Sequence, residues 1–129
     1  ELEATLMGAL DDCLVDGDYY IPIDYKTRGW LVKEDSHTYY QNQLDCYTLL
    51  LEKNGFQHKN LAYLIFWSPK EVKENNLVSF EVEPVKVETN TETALKTFRS
   101  AVKTLRGPIP KHHSTCLFCS WGNDFVNFE

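Results

Sequence analysis

Two apolar runs separated by Asp16-Gly17-Asp18 constrain this chain more than any other feature. An Asp-Gly pair favours a tight hairpin, so the run from Leu6 to Val15 is expected to fold back on Ile21-Pro22-Ile23-Asp24-Tyr25-Lys26-Thr27. Successive side chains of a strand point to opposite faces, which puts Ile21, Ile23 and Tyr25 on one face and Asp24 and Lys26 on the other. An acid and an amine then leave an apolar strand together, and the hairpin brings Asp11 or Asp12 beside Asp24. Acids on neighbouring strand ends with a lysine on the same face make a hard-oxygen site for magnesium or manganese with a cation next to it. Such a site suits phosphodiester hydrolysis, in which the metal polarises the phosphoryl oxygen and acidifies a bound water while the lysine steadies charge. The competing reading is a surface hairpin whose Asp and Lys face solvent, and strand alternation alone does not separate the two.

Downstream, Tyr40, Leu44, Tyr47, Leu50 and Leu51 recur at helical spacing, which predicts an amphipathic helix over residues 38–54 with Asn54-Gly55 as its stop. Gln43 falls on the same stripe. A buried amide without a partner is costly, so Gln43 is expected to bond to something specific. Leu61 to Trp67 is apolar without alternation and predicts a central strand covered on both faces. Val78, Phe80 and Val82 alternate with polar residues, and the phase changes after Pro84 to Val85 and Val87, which predicts an edge strand bulged at the proline. Thr89 and Glu92 have the spacing of a capping box for a second helix, with Ala94, Leu95, Phe98, Ala101, Val102 and Leu105 inward. Its Lys96, Arg99, Lys103 and Arg106 line the other side, as a solvated face or one that tracks phosphates.

At 129 residues and 43% hydrophobic content, the chain is long enough for one α/β domain with a core of its own. It carries no apolar window long enough to span a bilayer and no signal-peptide pattern, so a cytoplasmic location is expected. Cys13 and Cys46 lie in periodic apolar segments and read as small core residues. Cys116 and Cys119 form a close pair that His112 or His113 can complete as a zinc site; the alternative is two thiols packed beside Phe118 and Trp121. His37 and His58 are expected to take no catalytic part. The net charge of −6 argues against a generic polyanion-binding surface and confines any nucleic-acid contact to local patches. Trp30, Tyr39 and Tyr40 can stack on unpaired bases or serve as core and helix cover.

Gly8-Ala9-Leu10-Asp11, the hairpin, Asp24-Tyr25-Lys26-Thr27 and Gln43-Leu44-Asp45-Cys46-Tyr47 follow one another in an order that resembles the PD-(D/E)XK nuclease superfamily. The likeness is to the branch of RecB-type and AddB-type nuclease domains and CRISPR-associated adaptation exonucleases, through its Gly-x-x-Asp, Asp-Tyr-Lys and Gln-x-x-x-Tyr elements. The resemblance implies a restriction-endonuclease-like core: a mixed central sheet flanked by helices, over residues 1–110, with residues 111–129 a Cys-x-x-Cys tail packed on the same domain. It implies Asp11, Asp24 and the Tyr25 main-chain carbonyl as ligands of Mg2+ or Mn2+, Lys26 as the catalytic lysine, and Gln43 and Tyr47 near the metal and the nucleic-acid backbone. Asp12 rivals Asp11, because only one of the two can join Asp24. The implied activity is a divalent-metal-dependent DNA nuclease, exonuclease-like, in DNA repair, recombination or CRISPR adaptation. The alternative is an inactive module of the same fold that binds DNA or a partner protein.

Two features depart from the pattern. Members of that branch usually carry an upstream helix that adds a site residue, and this sequence starts after that point, so a further N-terminal segment or a partner subunit is expected to complete the site. The iron-sulfur members use one early and three late cysteines, whereas only Cys116 and Cys119 are late here, leaving zinc or an iron-sulfur cluster at the tail as alternatives.

Overall fold

The computed structural model describes residues 2–29 and 35–126. A four-stranded mixed sheet runs in the order β1-β2-β3-β4, from β1 (Asp12–Asp16), β2 (Tyr19–Thr27), β3 (Leu61–Val72) and β4 (Val78–Glu88). The β2–β3 pair is parallel and the outer pairs are antiparallel. A 3-10 turn (Ser36–Tyr40) leads into α1 (Gln41–Lys53), and α2 (Thr91–Arg106) and α3 (Leu117–Val126) follow the sheet. The chain is thus α/β with a mixed sheet, as its pattern predicts.

The hairpin forms where Asp-Gly predicts it: Asp16 pairs with Tyr19, and Gly17 takes φ 62° at the first central position, a conformation that is cheap only for glycine. The strand ahead of it is shorter than the apolar run from Leu6 suggests. Residues 6–11 leave the sheet and lie against the far half of α1, where Gly8 and Leu10 meet Tyr47 and Leu50. Gly8 makes that approach possible, since a Cβ there would sit 2.9 Å from Leu50 Cδ1. Pro22 is buried in β2 but precedes the first β2–β3 pair, Ile23 with Tyr63, so its missing amide removes nothing from within that ladder.

One face of the sheet carries the core. Ala62, Leu64 and Phe66 of β3 and Val87 of β4 close on Leu44 of α1, with Tyr40, Tyr47 and Val85 at the rim. By strand alternation Asp24 and Lys26, paired with Leu64 and Phe66, share this helix-covered face. The other face corrects the expectation of a strand buried on both sides. There Tyr63 and Ile65 are half-buried, and Trp67, Phe80 and Val82 are 39%, 43% and 46% exposed.

The bulge also differs from expectation. The β3–β4 register runs unbroken through Ile65–Pro84 and shifts only between Pro69 and Glu71. Trp67 accepts at its carbonyl from the Arg28 amide on the β2 side, so odd-numbered β3 residues turn their peptide groups toward β2. Pro84, opposite Ile65, therefore has its nitrogen on the open edge and breaks no bond. With the register intact, Phe80 and Val82 lie on the sheet face opposite Val85 and Val87.

At its end α1 closes in a Schellman arrangement: Gly55 at φ 82° donates to Glu52 O, and Phe56 donates to Leu51 O. The cap of α2 is Asn90, whose side chain accepts from the Thr93 amide. Thr89, expected to cap, is instead buried with its hydroxyl on Thr48. Ala94 and Val102 are the buried positions of α2, while Leu105, expected inward, is 85% exposed. Cys13 and Cys46 are half-buried rather than core residues.

Candidate active site

Asp24 sits under α1 at 1% exposure. Gln43, projecting from α1, donates from Nε2 to Asp24 Oδ1 at 3.0 Å and to the Tyr47 hydroxyl at 2.7 Å. The partner that the sequence demanded for Gln43 is therefore the acid of β2, and Tyr47, one turn on, fixes the amide from behind. Lys26 Nζ lies 2.5 Å from Asp24 Oδ2. That contact is an ion pair outside hydrogen-bonding geometry, and Oδ2 is a buried side-chain atom with no hydrogen-bond partner among the described residues. A desolvated carboxylate oxygen that faces an ammonium and makes no hydrogen bond is placed among groups that suit a cation.

The end of β1 gives Asp11 and Asp12 different surroundings. The peptide groups of Tyr19, Ile21 and Ile23 face β1, which ends at the pair Asp12–Ile23. Tyr25 turns its amide to the same side, where β1 no longer supplies a partner, and the Asp11 carboxylate accepts that amide at 3.0 Å. In a strand the carbonyl of a residue points the same way as its amide, so the Tyr25 carbonyl opens at the edge where Asp11 sits. Asp12 goes elsewhere. It accepts from the Tyr25 hydroxyl at 3.1 Å and from the Cys13 amide at 2.8 Å, on the face opposite Asp24. The hydrogen bond to Asp12, then slight burial and the charges of Asp12 and Asp11, raise the Tyr25 phenol pKa above its ordinary value.

A match to the family model of the PD-(D/E)XK nuclease superfamily covers residues 1–123. This chain belongs to the PD-(D/E)XK nuclease superfamily. Neither the curated proteins nor the solved structures gave a match.

In this superfamily member the Asp-x-Lys pair and the glutamine of the following helix are thus brought together around one buried carboxylate, with Asp11 at the neighbouring strand end. Two carboxylates and a main-chain carbonyl fit a hard divalent cation that keeps some of its water. Among the described residues no group of three or more His, Cys, Asp or Glu side chains comes together. At the tail, Cys119 hydrogen-bonds to Cys116, through its amide and its thiol, and lowers the Cys116 pKa; the same thiol contact raises that of Cys119. The histidines next to them bond locally, His112 to the His113 carbonyl and His113 to Thr115. No third ligand of the described residues joins the two thiols.

Further side chains of the described residues pack around these groups. Arg28 continues the phase of Asp24 and Lys26 by one more alternate position. Its guanidinium lies 5.6 Å from the centre of the Tyr40 ring and 5.0 Å from that of Phe66, and it donates to the Tyr40 hydroxyl at 3.3 Å. Lys26 Nζ lies 4.8 Å from the centre of the same Tyr40 ring. Tyr40 therefore acts as cover between two cations, whereas Tyr39 stands 78% exposed. Trp30 lies outside the described residues. Asp45, inside the Gln-x-x-x-Tyr segment, is buried and structural: it accepts from Gln41 Nε2 at 2.8 Å and from the Asn90 amide at 2.9 Å, tying α1 to the start of α2. His58 pairs with Glu52 at 3.5 Å, away from these groups.

Proposed function

We propose that this chain is a divalent-metal-dependent nuclease acting on DNA, with Asp11, Asp24 and the Tyr25 carbonyl as the metal's oxygen donors. The observation that carries the reading is the buried Asp24 carboxylate, held at Oδ1 by Gln43 and left at Oδ2 with an ion pair but no hydrogen bond. Bound Mg2+ or Mn2+ would supply Lewis acidity toward the phosphoryl oxygen and a more acidic water. The chain's own groups do the rest. Gln43 and Tyr47 fix the Asp24 carboxylate, and Lys26 places a positive charge at the mouth of the site, where it can orient a water or steady charge developing on a phosphate. End-directed cutting and a role in repair, recombination or CRISPR adaptation rest on the motif resemblance alone.

DNA cleavage in Mg2+ or Mn2+ is expected from the wild type. It should fall by at least about a thousandfold, on the order of 4 kcal/mol of barrier, in Asp24→Asn protein that melts as a folded domain. Equal cleavage by the two proteins would overturn the assignment. A non-catalytic DNA-binding module is favoured by one observation, the presence of only two carboxylates at the site among the described residues. Salt-sensitive DNA binding with no cleavage in any divalent metal would establish that reading instead.

A further inference from the structure

Just past Lys26, at the end of β2, a groove of about 580 Å³ opens between Thr27, Arg28 and Gly29 on one side and Asp35, Ser36, Tyr39 and Tyr40 on the other. Its size lies within the range of small-ligand sites, roughly 300–1,000 Å³. Two of its side chains are not explained by folding. Arg28 is a half-buried guanidinium whose described partners are aromatic, Tyr40 and Phe66, and among the described residues no carboxylate pairs with it. Its donors are held in place by ring contacts, so little side-chain entropy is left to lose when an anion arrives. Tyr39 offers a ring to solvent beside it at 78% exposure, although its neighbour Tyr40 supplies the cover that Phe66 and Lys26 use.

A planar cation and an exposed ring on one groove, next to a site that handles a phosphodiester, match one nucleotide: its phosphate on the guanidinium and its base on the ring. A base inside a duplex has both faces covered by its neighbours and cannot reach such a ring, so contact with Tyr39 requires an unpaired nucleotide. On the nuclease reading above, we propose that this groove holds the nucleotide adjoining the phosphate that is cut, with Arg28 on its phosphate and Tyr39 against its unpaired base. The site then selects single strands or frayed ends. Arg28 and Tyr39 are binding residues in this account. The bonds that break and form belong to the Asp24 site.

Binding of a short fluorescein-labelled oligothymidylate and of a duplex of the same length, both in Ca2+ and over a range of salt, tests this with the full chain. The wild type is expected to prefer the single strand. Tyr39→Ala should weaken single-strand binding about tenfold and leave duplex binding unchanged, with Tyr39→Phe restoring it. Arg28→Gln should weaken binding and lower the salt dependence by about one phosphate contact. Wild-type binding by both variants, or equal affinity for the two DNAs, would overturn the groove. If the wild type still cleaves DNA under that result, the nuclease reading stands without it. A Tyr39 effect in a protein that cleaves nothing would remove the nuclease reading and leave the groove as a strand-binding site.

Discussion

Asp24 and Asp45 are buried to almost the same degree, 1% and 2% exposed, but their surroundings give them opposite uses. Asp45 Oδ1 accepts from a side-chain amide of its own helix and from the main chain at the start of α2. It is a knot, and the donors that satisfy it are parts of the fold. Asp24 has one donor from the fold, Gln43, and on its other oxygen a lysine that is 21% exposed. Burying a carboxylate costs several kcal/mol unless it is paired, and around Asp45 neutral donors meet that cost. Around Asp24 it is met by one neutral donor and the partly exposed ammonium of Lys26. On the proposed function, the difference separates a carboxylate that holds the protein together from one that serves the metal.

The largest test of this contrast removes the cation. Lys26→Met should cost about 3 kcal/mol, because it strands a buried anion, and thermal or denaturant unfolding would register it. Adding Asp24→Asn to that variant should return most of the loss, since the neutral pair no longer needs compensation; a double variant no more stable than Lys26→Met would mean that the ion pair is not what balances Asp24. At Asp45 the order of effects changes. Asp45→Ala leaves the Asn90 amide and Gln41 without their acceptor and should cost about 2 kcal/mol. Metal binding at the Asp24 site should survive in the fraction that remains folded. Unchanged stability would show that the α1–α2 knot contributes little.

Much of this contrast was legible in the sequence, and what was not has physical reasons. Strand alternation placed Asp24 and Lys26 on one face, and the helical stripe placed Gln43 on the side turned toward the sheet, so the demand of a buried amide called for a partner without naming it, and Asp24 is that partner. The different surroundings of Asp11 and Asp12 follow from where β1 stops pairing, which its apolar run conceals by continuing back to Leu6. Arg28 lay one alternate position beyond the strand read from Ile21 to Thr27, so extending the phase past Thr27 would have found it. The bulge was misplaced for a different reason. Pro84 looks like a breaker in sequence, but its harm depends on which side of β4 its nitrogen faces, and only the pairing of β3 with both neighbours decides that. Asp45 was read past because a carboxylate on a helix is ordinarily solvated, and its partner Asn90 lies 45 residues away in the chain.

On the proposed function, Asp24 takes a divalent cation and Asp45 does not. Titration of the apo protein with Mn2+, followed by electron paramagnetic resonance of the free ion, measures that directly. The account predicts saturable Mn2+ binding to the wild type, lost in Asp24→Asn, weakened in Asp11→Asn and retained in Asp45→Asn. Mn2+ binding that is unchanged in Asp24→Asn would contradict it.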